Sequence, residues 1–489
     1  MYFTENINRR KFVKTGAQAA AITTLTSIAP SVLKADSALP NIIFIISDQM
    51  RGDALSCLGS RNARTPNLDK MAAGGVVFEN CFSNNPVCIP ARKSIFSGLY
   101  PHQHGSLTNK QRKLLHFENT MAAYFQKRGY RIGWIGKNHT IQKSELNHFD
   151  TASIRAREPF RKYNRWVPPY WHGDTYWPRE KCYPKKNTDE SIDFIKQAKR
   201  GEPFFLHISY FDPHPPYFAP SEISSRYCSS NMVPPTYLPA SVFGERLAIY
   251  ARAMGYDKIK KSDLLATMRY YYAAIEWGVD YQVGRILDAL SQKGLDKNTI
   301  IVFSADHGDF MGQHNMVRKG MFLHDTLLHV PMIWYAPGRI QKGKKEKALA
   351  QGIDIFPTLT DLLDGKKSDD LMGRSLKPFL TGKAPIKDEH VIFTSAGYNE
   401  IDFQQLEQDL TKDEDVPLHT RVLGQNMNPR YRTKMIRSRE WKMILSESRP
   451  MQLFKMNDGY IERENVAENV EYASIRRKLE KQLQNWWSW

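Results

Sequence analysis

Short apolar runs, each followed by polar residues, recur along much of this chain. Four of them predict β-strands, at residues 41–47, 131–135, 204–209 and 299–304. Continuous apolar runs of this length are typical of parallel strands that helices cover on both faces. The pattern therefore predicts an α/β fold with a large mixed, mostly parallel sheet flanked by helices.

Each of these runs is followed by residues that can carry chemistry. In open α/β sheets the carboxyl ends of the strands meet at one edge, where binding and catalysis collect. One such coincidence carries little information, but four together indicate a single site. In chain order the residues after the four runs are Asp48 and Gln49, Lys137 and His139, His214, and Asp306 and His307.

Helical spacing and turn residues predict helices between these strands. Thr65 is predicted to cap a helix that begins with a proline and ends at Gly74. Residues 263–290 have apolar side chains at helical spacing. The sheet is expected to continue with residues 330–335 and 390–394.

The pattern of apolar and polar residues changes after about residue 387. Short strands and a closing helix are predicted there, at residues 434–436, 441–445, 451–454 and 471–487. We therefore expect residues 39–386 to form a catalytic domain and residues 387–489 to form a smaller C-terminal α+β subdomain.

The first 38 residues resemble an export signal. Arg9 and Arg10 stand in a stretch similar to the twin-arginine motif, and a mildly apolar segment follows at residues 17–33. That segment is too polar for a membrane span, and no later segment is apolar over about 18 residues. The mature protein is expected to be periplasmic or secreted, without an integral membrane span. A short amphipathic helix is the alternative interpretation.

Charge and cysteine content narrow the possible partners. The chain has 69 basic and 51 acidic residues, a formal net charge of +18, which favours anionic partners. No basic run is long enough for a nucleic-acid arm, so an anionic glycan or a small acidic substrate is favoured and nucleic acid is not expected. The five cysteines form no Cys-x-x-Cys pair, which argues against a zinc knuckle.

Residues 151–186 combine arginine, aromatic and proline residues in a pattern that fits no regular element. Guanidinium groups hold anions, aromatic faces can stack on sugar rings, and long irregular segments are often functional. A packed aromatic-rich loop is an equally good interpretation, and His104 could equally line the pocket or be structural. The residues predicted to bind substrate are Arg157, Arg161, Trp166, Trp171, Trp177 and His104.

The most informative segment is CIPAR at residues 88–92, with Ser97 and Gly98 a few residues later. It resembles the signature of the formylglycine-dependent sulfatases, a family with an alkaline-phosphatase-like fold. The resemblance implies that a dedicated maturation enzyme oxidises Cys88 to formylglycine and that Arg92 braces this residue. The hydrated aldehyde has two hydroxyls on one carbon, of which one attacks sulfur and the other releases sulfate.

The resemblance also implies a metal site next to this residue. Hard oxygen ligands suit calcium or magnesium, and calcium is favoured because it tolerates irregular geometry better. Many family members have two acids where this chain has an acid followed by Gln49, whose amide oxygen can still coordinate with less charge. The implied ligands are Asp48, Gln49, Cys88 as formylglycine, Asp306 and His307.

Four further residues match the family's catalytic set. Lys137 and His139 match a Gly-Lys-x-His element that contacts the formylglycine hydroxyl and the sulfate. His214 matches the histidine that helps to protonate the leaving oxygen, and Lys319 matches a lysine that binds a sulfate oxygen.

These features predict a sulfatase that acts on a sulfated polysaccharide or its oligosaccharides. A phosphonate or phosphate ester hydrolase of the same superfamily is the alternative enzyme, and an inactive glycan-binding homologue is the alternative from another class. The sequence leaves open the sugar, the sulfate position, endo or exo action, the oligomeric state and the disulfide pairing.

Overall fold

Strands and helices alternate along most of the chain in the computed structural model. The structure describes residues 39–109, 113–155, 172–174, 179–236, 247, 250–251, 254–385, 388–400, 428–447, 449–456 and 461–488. Within these ranges the strands are β1 (Asn41–Asp48), β2 (Val76–Phe82), β3 (Arg131–Gly136), β4 (Thr151–Ile154), β5 (His172–Asp174), β6 (Phe204–Pro213), β7 (Tyr217–Ala219), β8 (Thr299–Ala305), β9 (Met332–Tyr335), β10 (Lys344–Gln351), β11 (Ile392–Glu400), β12 (Asn428–Arg437), β13 (Trp441–Ser446) and β14 (Arg449–Lys455).

The helices flank these strands. They are α1 (Pro66–Ala73), α2 (Cys88–Ser97), α3 (Met121–Gln126), α4 (Tyr183–Lys196), α5 (Ser221–Ser224), α6 (Lys261–Ile275), α7 (Tyr281–Gln292), α8 (Asp325–Leu328), α9 (Ile355–Asp364), α10 (Lys377–Leu380) and α11 (Ala473–Trp486). A π-helical turn at Glu276–Asp280 joins α6 to α7, so the predicted helical stretch at 263–290 is confirmed with a local irregularity. No helix in these described ranges is long and apolar enough to cross a membrane.

The main sheet has eight strands in the order β10-β2-β9-β8-β1-β6-β3-β4. The four strands predicted from the apolar runs are neighbours in it, and β1 pairs in parallel with both β8 and β6. Strand β9 is antiparallel to both of its neighbours, which makes the sheet mixed. The predicted fold class is confirmed.

The central strand β1 explains why the apolar runs are continuous. All eight of its residues are buried, because helices cover both faces of the sheet at this position. Fully burying an isoleucine or phenylalanine side chain contributes about 1.5–3 kcal/mol, so this strand has no face on which a polar side chain would be tolerated. Polar residues therefore appear only at the two ends of the strand, as Asn41 at its start and Ser47 and Asp48 at its finish.

The start of α1 differs from the prediction in its cap. Pro66 is the first residue of the helix as expected, but the Thr65 side chain accepts no capping hydrogen bond. Instead, Asp280 Oδ1 accepts hydrogen bonds from the backbone N of Asn67 at 3.0 Å and of Leu68 at 2.8 Å. The cap is supplied by a residue far along the chain, which a local sequence pattern cannot reveal.

The C-terminal region forms a second, antiparallel sheet in the order β11-β12-β13-β14. The short strands and the closing helix predicted there are confirmed. The predicted continuation of the main sheet at 390–394 is wrong, because β11 pairs with β12 in this second sheet. Residues 39–489 nevertheless cluster as one compact unit.

Candidate active site

The carboxyl ends of four neighbouring strands meet at one edge of the main sheet. Strand β1 ends at Asp48, between β8 and β6, and β3 lies beyond β6. Asp306, His214 and Lys137 directly follow β8, β6 and β3. The parallel topology therefore gathers residues that are far apart in the sequence.

Cys88 lies at this edge, at the first position of α2. It is buried, and its Sγ lies 2.9 Å from Lys319 Nζ, 3.2 Å from His307 Nε2 and 3.7 Å from Asp48 Oδ1. The free amide groups of a helix N-terminus favour negative charge. The surroundings of Cys88 therefore suit an anion.

These surroundings change the pKa of the Cys88 thiol. Burial by itself raises the pKa, but the positive charges of Lys137 and Lys319 outweigh it. His307 and a hydrogen bond with His139 act in the same direction, and the pKa falls well below its ordinary value. The position stabilises a negative charge on the side chain at residue 88.

An ionic network of buried side chains surrounds Cys88. Arg92 Nε donates to Asp306 Oδ2 at 2.6 Å, and Arg92 Nη1 donates to Ser209 Oγ at 2.7 Å. Lys137 Nζ pairs with Asp48 Oδ2, and Arg92 Nη2 lies 3.7 Å from the same oxygen. The predicted Arg92 thus contacts the acidic side chains on either side of Cys88.

The pKa of Asp48 responds to the same network. Burial and the neighbouring Cys88 both raise the pKa of this carboxyl. The positive charge of Lys137 lowers it, and His214 and Lys319 lower it further. The lowering influences prevail, so Asp48 is a carboxylate at neutral pH.

Gln49 has an unusual backbone and an unused side-chain oxygen. Its φ of 68° lies in the left-handed region that non-glycine residues seldom adopt. Its backbone N donates to Asp306 Oδ1 at 3.0 Å, and its Nε2 donates to Asp309 Oδ2 at 2.6 Å. Its Oε1 is buried without a hydrogen-bond partner in the described part of the chain. A buried acceptor in this state is costly unless it binds something, and a cation is a suitable partner.

Four buried side chains at this edge of the sheet could hold a divalent cation. Asp48, Cys88, Asp306 and His307 offer ligand atoms that all lie within 4.8 Å of one another. His307 Nδ1 lies 2.9 Å from Gly308 O. A proton on Nδ1 satisfies this contact and leaves Nε2 as a ligand toward the site. Two carboxylates, an imidazole nitrogen and the free oxygen of Gln49 fit a hard divalent metal ion.

Lys319 and the two predicted histidines complete the surroundings. Lys319 Nζ lies 3.0 Å from His307 Nε2, within reach of Cys88. His139 is half-buried, and burial and the nearby Lys137 lower its pKa. His139 Nδ1 has no hydrogen-bond partner among the described residues.

His214 follows β6 on the same edge of the sheet. Its Nδ1 lies 2.8 Å from Pro215 O, which fixes the ring orientation. Its charge contributes to the lowered pKa of Asp48, so the two side chains are within electrostatic reach. The structure therefore brings together every catalytic and metal-binding residue predicted from the sequence.

The predicted substrate-binding residues are a different case. His104 Nε2 lies 3.0 Å from Ser94 Oγ, on the second turn of α2, and burial lowers its pKa to about 3. These contacts fit a structural histidine beside α2. The remaining predictions, Arg157, Arg161, Trp166, Trp171 and Trp177, lie outside the described residues.

Three residues with clear roles in the geometry were missed. Asp309 holds Gln49, Ser209 accepts from Arg92, and Asn109 Oδ1 accepts from the backbone N of Ile89 at 2.9 Å. Asp309 could have been suspected, because it lies only three residues past Asp306 in the loop that follows β8. Ser209 and Asn109 have no sequence feature that separates them from ordinary polar residues.

Comparisons with known proteins agree on the family. A family model described as Sulfatase matches residues 40–365. An arylsulfatase of Clostridium perfringens is 32% identical over 389 residues, which cover 70% of this chain and 78% of that protein. An ulvan-active sulfatase of Formosa agariphila is 31% identical over 371 residues, which cover 72% of this chain and 67% of that protein.

A solved structure extends the likeness of fold over nearly the whole chain. A phosphonate monoester hydrolase of Agrobacterium radiobacter superimposes with a TM-score of 0.75 and covers 91% of this chain and 95% of that one. Its sequence is 24% identical, so it bears on the fold and not on the substrate.

Proposed function

This chain belongs to the sulfatase family and is a sulfate ester hydrolase, and from that premise we propose its mechanism and substrate class. The proposed reaction removes sulfate from a sulfated polysaccharide or its oligosaccharides. Its nucleophile is a formylglycine made from Cys88, and its metal ion is calcium, with magnesium as the less favoured ion. The observation that carries the proposal is the convergence of Lys319, His307 and Asp48 on Cys88 Sγ.

The surroundings of Cys88 support its conversion to formylglycine. A dedicated maturation enzyme would oxidise the side chain before the protein folds around it, because Cys88 is buried in the folded chain. When formed, the hydrated aldehyde supplies two hydroxyls on one carbon, one to attack sulfur and one to release sulfate. An oxygen in place of Sγ would meet the donors that now surround the sulfur.

The proposed calcium ligands are Asp48, Gln49, Asp306 and His307, together with residue 88. A bound calcium ion would act as a Lewis acid toward a sulfate oxygen. The free oxygen of Gln49 and the close approach of the other ligand atoms support this assignment. Arg92 orients both sides of the set by its hydrogen bond to Asp306 and its proximity to Asp48.

The remaining cations are proposed to bind and release the substrate. Lys319 and Lys137 would hold sulfate oxygens, since both lie beside Cys88 and place positive charge where an anion must dock. His214 would donate a proton to the leaving oxygen, which departs poorly as an alkoxide. His139 would hydrogen-bond the nucleophile, a contact that it already makes with Cys88.

The proposed substrate class rests on charge and on one relative. The chain carries a formal net charge of +18, and the Formosa relative is named for its activity on ulvan. Phosphonate or phosphate ester hydrolysis is the second candidate, with which the shared fold of the Agrobacterium hydrolase is compatible. Sulfate esters are preferred because the more similar relatives are sulfatases.

Two measurements test the proposal. Peptide mass spectrometry on active enzyme is expected to find formylglycine at residue 88, and only unmodified cysteine in active protein would refute the nucleophile. Sulfate release is expected from sulfated oligosaccharides, with much slower turnover of aryl phosphates and phosphonates. Cys228→Ala is the matched control for a substitution of Cys88. Cys228 is exposed and contacts Ser230, so this variant should keep full activity.

We also propose that the protein is exported by the signal at residues 1–38, which lies outside the described residues. Replacing Arg9 and Arg10 by lysine should trap the precursor in the cytoplasm. Fractionation that finds both forms equally in the periplasm or medium would refute the twin-arginine route.

A further inference from the structure

Asp309 is a fully buried carboxylate that accepts four hydrogen bonds. Its Oδ2 accepts from Gln49 Nε2 at 2.6 Å and from the Tyr217 hydroxyl at 2.7 Å. Its Oδ1 accepts from the backbone N of Met311 at 2.8 Å and of Arg318 at 2.7 Å. All four partners are donors, so each contact is satisfied by a carboxylate that only accepts.

This arrangement decides which end of the Gln49 amide faces the proposed metal. A carboxylate can only accept, so the amide must turn its NH₂ group to Asp309. The amide oxygen then points away from Asp309, and it is the atom that is buried without a partner in the described residues. Without Asp309 the amide could rotate by half a turn and present NH₂ to a cation.

The other contacts of Asp309 reach two more elements of the site. Arg318 directly precedes Lys319, whose Nζ lies 2.9 Å from Cys88 Sγ. Tyr217 begins β7, three residues after His214. One carboxylate therefore connects the segments that carry a proposed metal ligand, a proposed sulfate-binding lysine and a proposed proton donor.

We propose that Asp309 is a positioning residue that aims the Gln49 oxygen at the metal and braces the segments of Lys319 and His214. The inference rests on the metal site of the proposed function. It assigns to Asp309 a polarity requirement: position 309 must accept from position 49, so that position 49 can offer oxygen to the cation. Outer contacts of this kind are typically worth about 10–100-fold in metal affinity.

The test is a double-mutant cycle that exchanges the hydrogen-bond donor and acceptor at positions 49 and 309. The readout is the affinity for calcium and magnesium, measured by calorimetric titration of the metal-free enzyme. Asp309→Asn places an NH₂ group against the NH₂ group of Gln49, and affinity should fall about 10–100-fold. Gln49→Glu places two carboxylates in contact, and affinity should fall despite the added negative charge. The double variant Q49E/D309N restores a donor-acceptor pair and should recover affinity to within about threefold of wild type.

Asp354→Asn is the matched control. Asp354 is also buried and also accepts from backbone N groups, of Gln351 at 2.8 Å and Arg374 at 2.9 Å, neither of which is a proposed metal ligand. This variant should keep wild-type metal affinity, which separates a local effect from the general cost of a buried Asp→Asn change.

Several outcomes would overturn the inference. Unchanged affinity in D309N would do so, and so would losses in the two single variants that simply add in the double variant. If D309N does not fold, Gln49→Glu decides alone: tighter binding than wild type means that Asp309 does not face position 49 as proposed. Wild-type enzyme that releases sulfate but binds neither cation would refute the metal site itself, and with it the role of Asp309, while leaving the sulfatase assignment intact.

Discussion

Two clusters of buried charged side chains in the described part of the chain have hydrogen bonds that are satisfied to different degrees. We call one the catalytic cluster, which consists of Asp48, Arg92, Lys137, Asp306 and Lys319 around Cys88. We call the other the C-terminal cluster, which joins α8 to the second sheet and consists of Asp325, Arg437, Lys442 and Glu462.

The C-terminal cluster is closed, by which we mean that its charged groups pair with one another. Lys442 Nζ lies 2.6 Å from Asp325 Oδ1 and 2.5 Å from Glu462 Oε1, and Arg437 Nε lies 2.6 Å from Asp325 Oδ2. Two acids face two bases, and all four side chains are at most 3% exposed. The charges of this cluster pair with one another, and the pairs link α8 to the second sheet.

The catalytic cluster is open, by which we mean that some of its polar atoms are left without a hydrogen-bond partner. Three bases face two acids, and three atoms in or beside it have no hydrogen-bond partner among the described residues: Gln49 Oε1, Arg92 Nη2 and His139 Nδ1. Unsatisfied buried polar atoms are costly and concentrate at functional sites. The two clusters are alike in burial and charge, but the catalytic cluster also offers atoms that can bind a ligand.

Removing the centre of the catalytic cluster should break function and leave stability intact. Cys88→Ala deletes the proposed nucleophile, and turnover of any sulfate ester should fall by at least about 10⁵-fold, roughly 7 kcal/mol of barrier. The unfolding midpoint should stay close to wild type, because Cys88 lies in the open cluster. A variant with substantial residual turnover would show that residue 88 is not the nucleophile.

His214→Ala should show a graded loss that depends on the leaving group. General acid catalysis is typically worth about 10²- to 10⁴-fold, roughly 3–5 kcal/mol. The loss in kcat/KM should be large for sugar sulfates and small for nitrophenyl sulfate, because nitrophenolate leaves without a proton. The measurement is a series of aryl sulfates of graded leaving-group pKa. Equal losses throughout would transfer the acid role to His139.

Lys442→Ala should reduce stability and leave turnover unchanged, which is the reverse of the effect expected for Cys88→Ala. It leaves Asp325 and Glu462 buried without their shared cation, and breaking a buried pair in this way costs about 3–5 kcal/mol of unfolding free energy. Turnover per folded molecule should be unchanged. Denaturant titration and activity assays on the same samples measure both quantities.

Lys199→Ala is the matched control for that experiment. Its side chain is 75% exposed and lies 3.5 Å from Glu202, and exposed pairs contribute less than about 1 kcal/mol. An equal loss in the two variants would mean that the C-terminal cluster does not lock the fold.

Metal removal should lower stability less than the loss of Lys442 does, because it empties only the open cluster. At a calcium concentration about 100 times Kd, binding stabilises the folded state by about 2.7 kcal/mol, which chelation would remove together with activity. Calcium should restore both. The Lys442→Ala variant should respond by the same increment, since its defect lies in the other cluster. Activity that survives exhaustive chelation would refute the metal site.

The four apolar runs and the polar residues that follow them can be recognised in the sequence, because each pattern depends on residues that are neighbours along the chain. A strand covered on both faces is made mostly of apolar side chains, so the sequence shows both its approximate extent and its polar end. The CIPAR segment can be recognised because its residues are contiguous, and the structure shows that α2 begins at Cys88. The relation of these strands to one another follows from general rules of parallel sheets.

Other features depend on partners that are distant along the chain. Asp280 caps α1, β11 joins a sheet formed by later strands, and Asp309 holds Gln49. Each contact joins residues whose neighbours along the sequence form no distinctive motif, so no local sequence pattern predicts the contact. The sequence by itself determined the four central strands of the main sheet, the family signature and the chemical character of the site. Only the tertiary structure decided which buried charges are closed and which are left open, because hydrogen-bond satisfaction is a property of the packed neighbours.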